Sequence, residues 1–231
     1  MVPTYDRPQM LQTFVDTALD TASNPSELLF TIMTNVDDHS YDDWMSKWPL
    51  KTDHMIEETI EPNLSRFYND MYNNTKYKDD SILVSMVGDD MEFRTGGWDK
   101  TILDTANDID GIGIISCNDD YISKGEIPVN LFTSRRYVDA CGPYFMCPDF
   151  KRFWIDTIWG DVAKATDTYY YLYDVHIFHN HTSSKIDQDD TYKRLEEIGS
   201  KELVGGIEVA KNRIWSYVNK SVKNLQKKGL V

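Results

Sequence analysis

Short apolar runs of strand length alternate along this chain with longer segments whose apolar residues recur at helical spacing, and few architectures accommodate that rhythm. Pro8 opens a segment in which Leu11, Phe14, Val15, Ala18, Leu19 and Ala22 repeat at helical intervals, with Asp6 placed to cap its start. Ser23, Asn24 and Pro25 break it, and LLFTIM at 28–33 reads as a buried strand. A polar loop follows at 34–43, and Pro62 opens a helical segment carrying Leu64, Phe67, Tyr68 and Met71. ILVSMV at 82–87 is again a strand, closed by Gly88. Gly96 and Gly97 lead into a helix with Trp98, Ile102, Leu103 and Ala106 on one side, a spacing that puts Trp98 in the core. GIGIISC at 111–117 is the next strand. Phe150, Phe153, Trp154, Ile158 and Val162 suit a helix, and TYYYLYDVHIF at 168–178 suits a strand. Ile207, Val209, Ile214, Trp215, Val218 and Val222 mark a terminal helix. Strands alternating with helices predict a layered α/β fold with a largely parallel sheet.

At 231 residues, 41% of them apolar, the chain can bury one substantial core. A formal net charge of −14 opposes binding to a phosphate backbone, which needs clustered Lys and Arg. Cys117, Cys141 and Cys147 are odd in number and lack metal-type spacing, so they suit a reducing compartment. No apolar run approaches the roughly eighteen residues of a membrane span, and MVPTYDRPQ lacks the apolar centre of a secretory signal. The expectation is a soluble, cytoplasmic protein.

Four polar groups stand at ends of predicted strands: Thr4, Tyr5, Asp6 and Arg7; Asp37 and Asp38; Asp89 and Asp90; and His179 with His181. In open α/β sheets ligands bind at the carboxyl ends of strands, so acids there are placed for chemistry. Positions two apart on a strand share a face, so both imidazoles of HNH can address one centre if the strand persists that far. A hard divalent ion that binds substrate phosphates takes few protein ligands and leaves its other positions to phosphate oxygens and water. Asp90 with one histidine suits that pattern, with imidazole tilting the choice from magnesium toward manganese.

The stretch VPTYDRPQMLQTFVDTAL resembles the opening PTYNRP segment of nucleotide-sugar-dependent glycosyltransferases of the GT-A fold. VDDHSYDD is similar to their second-strand acidic loop, and GDD takes the place of their Asp-x-Asp element. The likeness continues through GGWD, SRRYVDACGPYF, the DTIWGD helix, and HNH followed by DDTY, an order close to that of small enzymes of phages and large DNA viruses. It covers roughly residues 2–192, leaving 193–231 as a helical C-terminal extension of the same domain.

The resemblance implies a GT-A, Rossmann-like mixed and mainly parallel sheet flanked by helices. It implies transfer of a sugar from a nucleotide-diphosphate donor to an acceptor hydroxyl, with inversion, aided by Mn2+ or Mg2+. Thr4, Tyr5 and Arg7 would line the nucleotide pocket, Asp37 or Asp38 would bond the base, and Asp89 would contact ribose or donor sugar. Asp90 would bind the metal, completed by His179 or His181. Asp156, here preceded by Ile155 where the family commonly has Glu, would be the base, with Asp161 as the alternative. The acceptor is left open among glycan, protein and modified DNA base; a viral enzyme would work in the host cytoplasm. A nucleotidyltransferase is the competing enzyme class, but no Gly-rich phosphate loop lies near the N-terminus. A binding module that keeps the pocket without turnover is the non-enzymatic alternative.

Overall fold

The computed structural model describes residues 1–42, 51–58, 63–120, 124–180 and 207–231. Strands β1 (Val2–Pro3), β2 (Phe30–Asn35) and β3 (Thr52–Glu57) pair in that order, all parallel. A second sheet orders β4 (Leu83–Met86), β7 (Leu131–Ser134), β6 (Ile114–Asn118), β8 (Tyr169–His179) and β5 (Met91–Phe93). β7 is antiparallel to both β4 and β6, and β6 is parallel to β8. The strands β4, β6 and β8 therefore run the same way, and their carboxyl ends meet at one edge. β5 returns antiparallel along β8, with Met91 opposite His179.

Because successive strand residues point to opposite faces, each central strand feeds two cores. Met33, Ile114 and Leu131 enter one cluster, while their neighbours Ile32, Ile115 and Phe132 enter the other. Helices α1 (Pro8–Thr21) and α3 (Trp98–Asp108) cover the second cluster; α2 (Leu64–Asn74), α4 (Arg135–Cys141), α5 (Ile155–Ala165) and α6 (Ile207–Lys227) cover the first. The result is a mixed α/β sheet flanked by helices on both faces, with a C-terminal helix.

Trp98 is core, as its spacing implies: its Nε1 donates to the Ala18 carbonyl at 3.1 Å and its ring packs on Phe93 and Phe132. Asp6 does not cap α1. The N-cap is Arg7, without a side-chain cap bond, and Pro8 supplies the preset backbone, while Asp6 turns through φ 50 toward the 34–42 loop. Pro62 lies outside the described residues; α2 is capped instead by Asn63, whose side chain accepts from the Arg66 N–H at 3.0 Å. The helix expected to include Phe150, Phe153 and Trp154 starts only at Ile155, because Trp154 sits at φ 70, outside helical space. On α6 the inward stripe is Ala210, Ile214, Val218 and Leu225, while Val209 and Trp215, two of the apolar positions that mark the helix in the sequence, are exposed. Asn224 ties this helix to α4, donating to the Cys141 carbonyl at 2.7 Å. Among the described residues no helix is long and apolar enough to cross a membrane.

Candidate active site

The carboxyl ends of β1, β4 and β8, together with the segment entering α5, enclose a cavity of about 330 Å³. Thr4, Arg7, Asp89, Asp90, Asp156 and His179 line it. That volume is within the range of small-molecule sites.

At one end Asp89 is buried and held from two sides. Thr4 Oγ1 donates to its Oδ2 at 2.7 Å, and Arg7 Nη1 meets its Oδ1 at 3.3 Å. Tyr41 organises this corner from beneath: its hydroxyl shares a 2.6 Å hydrogen bond with Thr4 Oγ1 and accepts the Arg7 main-chain N–H at 2.9 Å. Burial, and next the neighbouring Asp90, push the Asp89 carboxyl above its ordinary pKa; Arg7 and Thr4 pull against that shift.

Asp90 follows at once and faces His179, with Oδ1 3.4 Å from Nε2. Two backbone features fix the pair. The Asn180 N–H donates to the Asp90 carbonyl at 2.9 Å, and the His179 N–H donates to the Asp119 carbonyl at 3.1 Å. Burial alone would push the His179 imidazole down, but the bond to Asp90 and the charges of Asp90, Asp119 and Asp156 reverse it, raising its pKa. Gly88 is what permits this geometry: a Cβ there would lie 2.4 Å from Asp90 Oδ1.

Among the described residues no three His, Cys, Asp or Glu side chains converge as a ready-made metal cage. A cation that is completed by substrate phosphates does not need one. A carboxylate oxygen and an imidazole nitrogen, adjacent and lining the cavity, fit a divalent ion that takes its remaining ligands from pyrophosphate and water. His181 falls outside the described residues, as does everything between 181 and 206.

Asp156 stands in the first turn of α5 and lines the cavity; its Oδ1 accepts the Thr157 N–H at 2.7 Å. Burial raises its pKa, opposed by the Thr157 and Asp156 N–H groups, the Thr157 hydroxyl and the charge of His179. Asp161, one turn and more along the same helix, is not part of the cavity wall. Ile155 is buried in the core.

Tyr5 lines the cavity, whereas neither Asp37 nor Asp38 does. Asp37 is exposed. Asp38 braces a loop instead, accepting from the Asp6 N–H at 2.8 Å and from the Ser40 N–H and hydroxyl at 3.1 and 2.6 Å. Arg152 and Trp154 line the cavity without any motif that sequence reasoning would catch, and Tyr41, inside the VDDHSYDD loop, supports it through Thr4 and Arg7. Asn35 ends β2 on the cavity side, a position that a strand-end rule alone would have flagged.

No protein-family profile matches this chain, and no curated protein does. Solved structures do. TarS of S. aureus superposes with a TM-score of 0.62 at 12% identity, covering 95% of this chain and 42% of that one. The mannosyltransferase PcManGT of Pyrobaculum calidifontis, in complex with GDP-Man and Mn2+, gives 0.61 at 12% identity over 99% and 73%. A TarS 1–349 structure in complex with UDP gives 0.61 at 13% identity over 93% and 68%. This chain spans less than half the length of the first of these. The fold is that of the GT-A nucleotide-sugar glycosyltransferases.

Proposed function

We propose that the chain is a metal-dependent glycosyltransferase that moves a sugar from a nucleoside-diphosphate donor to an acceptor hydroxyl with inversion. One observation carries the reading: a buried carboxylate held by Thr4 and Arg7, an Asp90–His179 pair and a pKa-raised Asp156 all face a single cavity at converging strand ends. That mannosyltransferase relative holds GDP-Man with Mn2+, which is the ligand chemistry this cavity suits.

Thr4, Tyr5 and Arg7 bind the nucleotide end of the donor, and Asp89, fixed by Thr4 and Arg7, accepts hydrogen bonds from ribose or sugar hydroxyls. Asp90 and His179 would hold Mn2+ or Mg2+, which would supply positive charge to offset that of the departing diphosphate. Asp156 takes the proton of the acceptor hydroxyl while that oxygen attacks the anomeric carbon and the nucleoside diphosphate leaves with the bonding electrons. Burial keeps Asp156 a stronger base than an exposed carboxylate.

Calorimetric titration with GDP and UDP, with and without Mn2+, followed by a screen for donor hydrolysis across nucleotide sugars, tests the proposal. Metal-dependent binding that Asp90→Ala abolishes, together with slow release of nucleoside diphosphate, is expected. Binding without turnover would identify a degenerate binding module, and no binding would overturn the reading.

A further inference from the structure

The outward face of α6 carries charge that the fold itself does not use. From Val209 to Val231 the sequence holds six Lys or Arg and no Asp or Glu, in a chain whose net charge is −14. Five of the six, Lys211, Arg213, Lys220, Lys223 and Lys227, are exposed and make no hydrogen bond or ion pair with any described residue. Lys228 is the exception, its Nζ donating to the Asp139 carbonyl at 3.0 Å. On other elements Arg94, Lys100 and Lys164 pair with Glu92, Asp104 and Glu126. The helix dipole favours cations in the last turn alone. Lys227 therefore has a local reason to be basic, and Arg213, Lys220 and Lys223 have none.

Helical spacing lines these charges up. Ala210, Ile214, Val218 and Leu225 face the core, so Arg213, Lys220 and Lys227, each two turns from the next, stand on the opposite side in one row, with Lys223 beside it. At 1.5 Å per residue the row spans about 21 Å. Val209, 41% exposed, begins this ridge, and Trp215, 58% exposed, flanks it. A straight, outward-facing row of cations beside an indole fits a plane of anionic headgroups, since Trp settles at the bilayer–water boundary and clustered Lys and Arg are drawn to anionic lipid. The acids elsewhere in the chain do not cancel that attraction: screening limits each charge to about 8 Å at physiological salt, so only the face turned to the leaflet counts. A polynucleotide would take the cations but offers no apolar layer to Val209 and Trp215. We infer that the outward face of α6 docks the protein peripherally on an anionic membrane surface, with Arg213, Lys220, Lys223 and Lys227 at the headgroups and Trp215 at the interface. The inference involves neither the cavity nor its metal, so it stands or fails apart from the proposed function.

The test is co-sedimentation of the full chain with vesicles of phosphatidylcholine alone and of phosphatidylcholine mixed equally with phosphatidylglycerol, beside a titration with a duplex oligonucleotide at the same salt. Binding to the mixed vesicles that weakens as salt rises, with none to phosphatidylcholine alone, is expected. Each cation at an anionic leaflet strengthens partitioning about fivefold. The triple variant Arg213→Gln, Lys220→Gln, Lys227→Gln should therefore partition about a hundredfold less, while Lys100→Gln, on α3, should partition as wild type does. Mixed vesicles should also shift the tryptophan emission of the wild type to the blue and leave that of Trp215→Phe unmoved. No binding to the mixed vesicles overturns the inference, as does equal binding to both kinds, or an unchanged partition in the triple variant. Binding of the oligonucleotide in preference to the mixed vesicles overturns it too, and would assign the ridge to nucleic acid. The wild-type vesicle and oligonucleotide arms decide the matter even if the triple variant folds poorly.

Discussion

Replacing Gly88 by alanine should uncouple folding from metal use. The added Cβ would sit 2.4 Å from Asp90 Oδ1, about 1 Å short of ordinary contact, whereas its other neighbours are 3.6 Å or more away. The backbone at Gly88 is not in a glycine-only conformation, and the clashing atom is the end of a short side chain. The clash is therefore relieved by swinging the Asp90 carboxylate rather than by unfolding. Its cost to stability should stay within about 1 kcal/mol, a melting shift of roughly 2–4 °C for a chain of this size. Metal ligation tolerates only about 0.2 Å, and a 1 Å misplacement in an active site costs on the order of a hundredfold. Donor hydrolysis as a function of Mn2+ concentration, beside a thermal melt, reads both quantities. Gly88→Ala is expected to melt near wild type and to lose about a hundredfold in metal-dependent rate. A variant that keeps wild-type rate and Mn2+ dependence would show that Asp90 Oδ1 is not held where the metal needs it.

Asp156→Asn should bind donor normally and abolish transfer, while Asp161→Asn should transfer at close to wild-type rate; the reverse pattern in a transfer assay would move the base to Asp161. Because burial raises the Asp156 pKa and the base must be ionised, kcat/KM should fall as pH drops through a value above the ordinary carboxylate range; an acidic limb at or below about 4 contradicts this. Cys117, Cys141 and Cys147 are all buried, with burial pushing Cys141 up to about 12 and Cys147 up to about 11. A chromogenic disulfide reagent should therefore label none in the native protein at neutral pH and three in guanidinium, and rapid native labelling would refute the packing.

Local periodicity carried most of the fold. The helical spacing from Leu11 to Ala18 and the run from Ile82 to Val87 are each enforced by one buried face or by burial on both, so they are written in adjacent residues. The antiparallel insertion of β7 between β4 and β6 pairs residues far apart in sequence, and no local pattern announces it. The helix start near 150–155 was misplaced because Phe150, Phe153 and Trp154 are apolar for different reasons. Phe150 fills the core, and Trp154 lines a cavity in a backbone conformation that sequence does not reveal. The acids at 89 and 90 were legible from their place after a strand, but their separate surroundings were not. Asp89 is defined by Thr4, Arg7 and Tyr41, and Asp90 by His179, partners brought together only by the converging strand ends. Asp38 shows the converse: an acid in a suggestive loop whose oxygens are taken by the Asp6 and Ser40 N–H groups.

Anomalous diffraction from crystals soaked with MnCl2 and GDP or UDP tests the central claim most directly. A manganese peak about 2.1 Å from an Asp90 oxygen, with His179 Nε2 and a diphosphate oxygen in the same coordination sphere, is the expected result. A nucleotide bound in the cavity with manganese elsewhere, and no ion on Asp90, would contradict it.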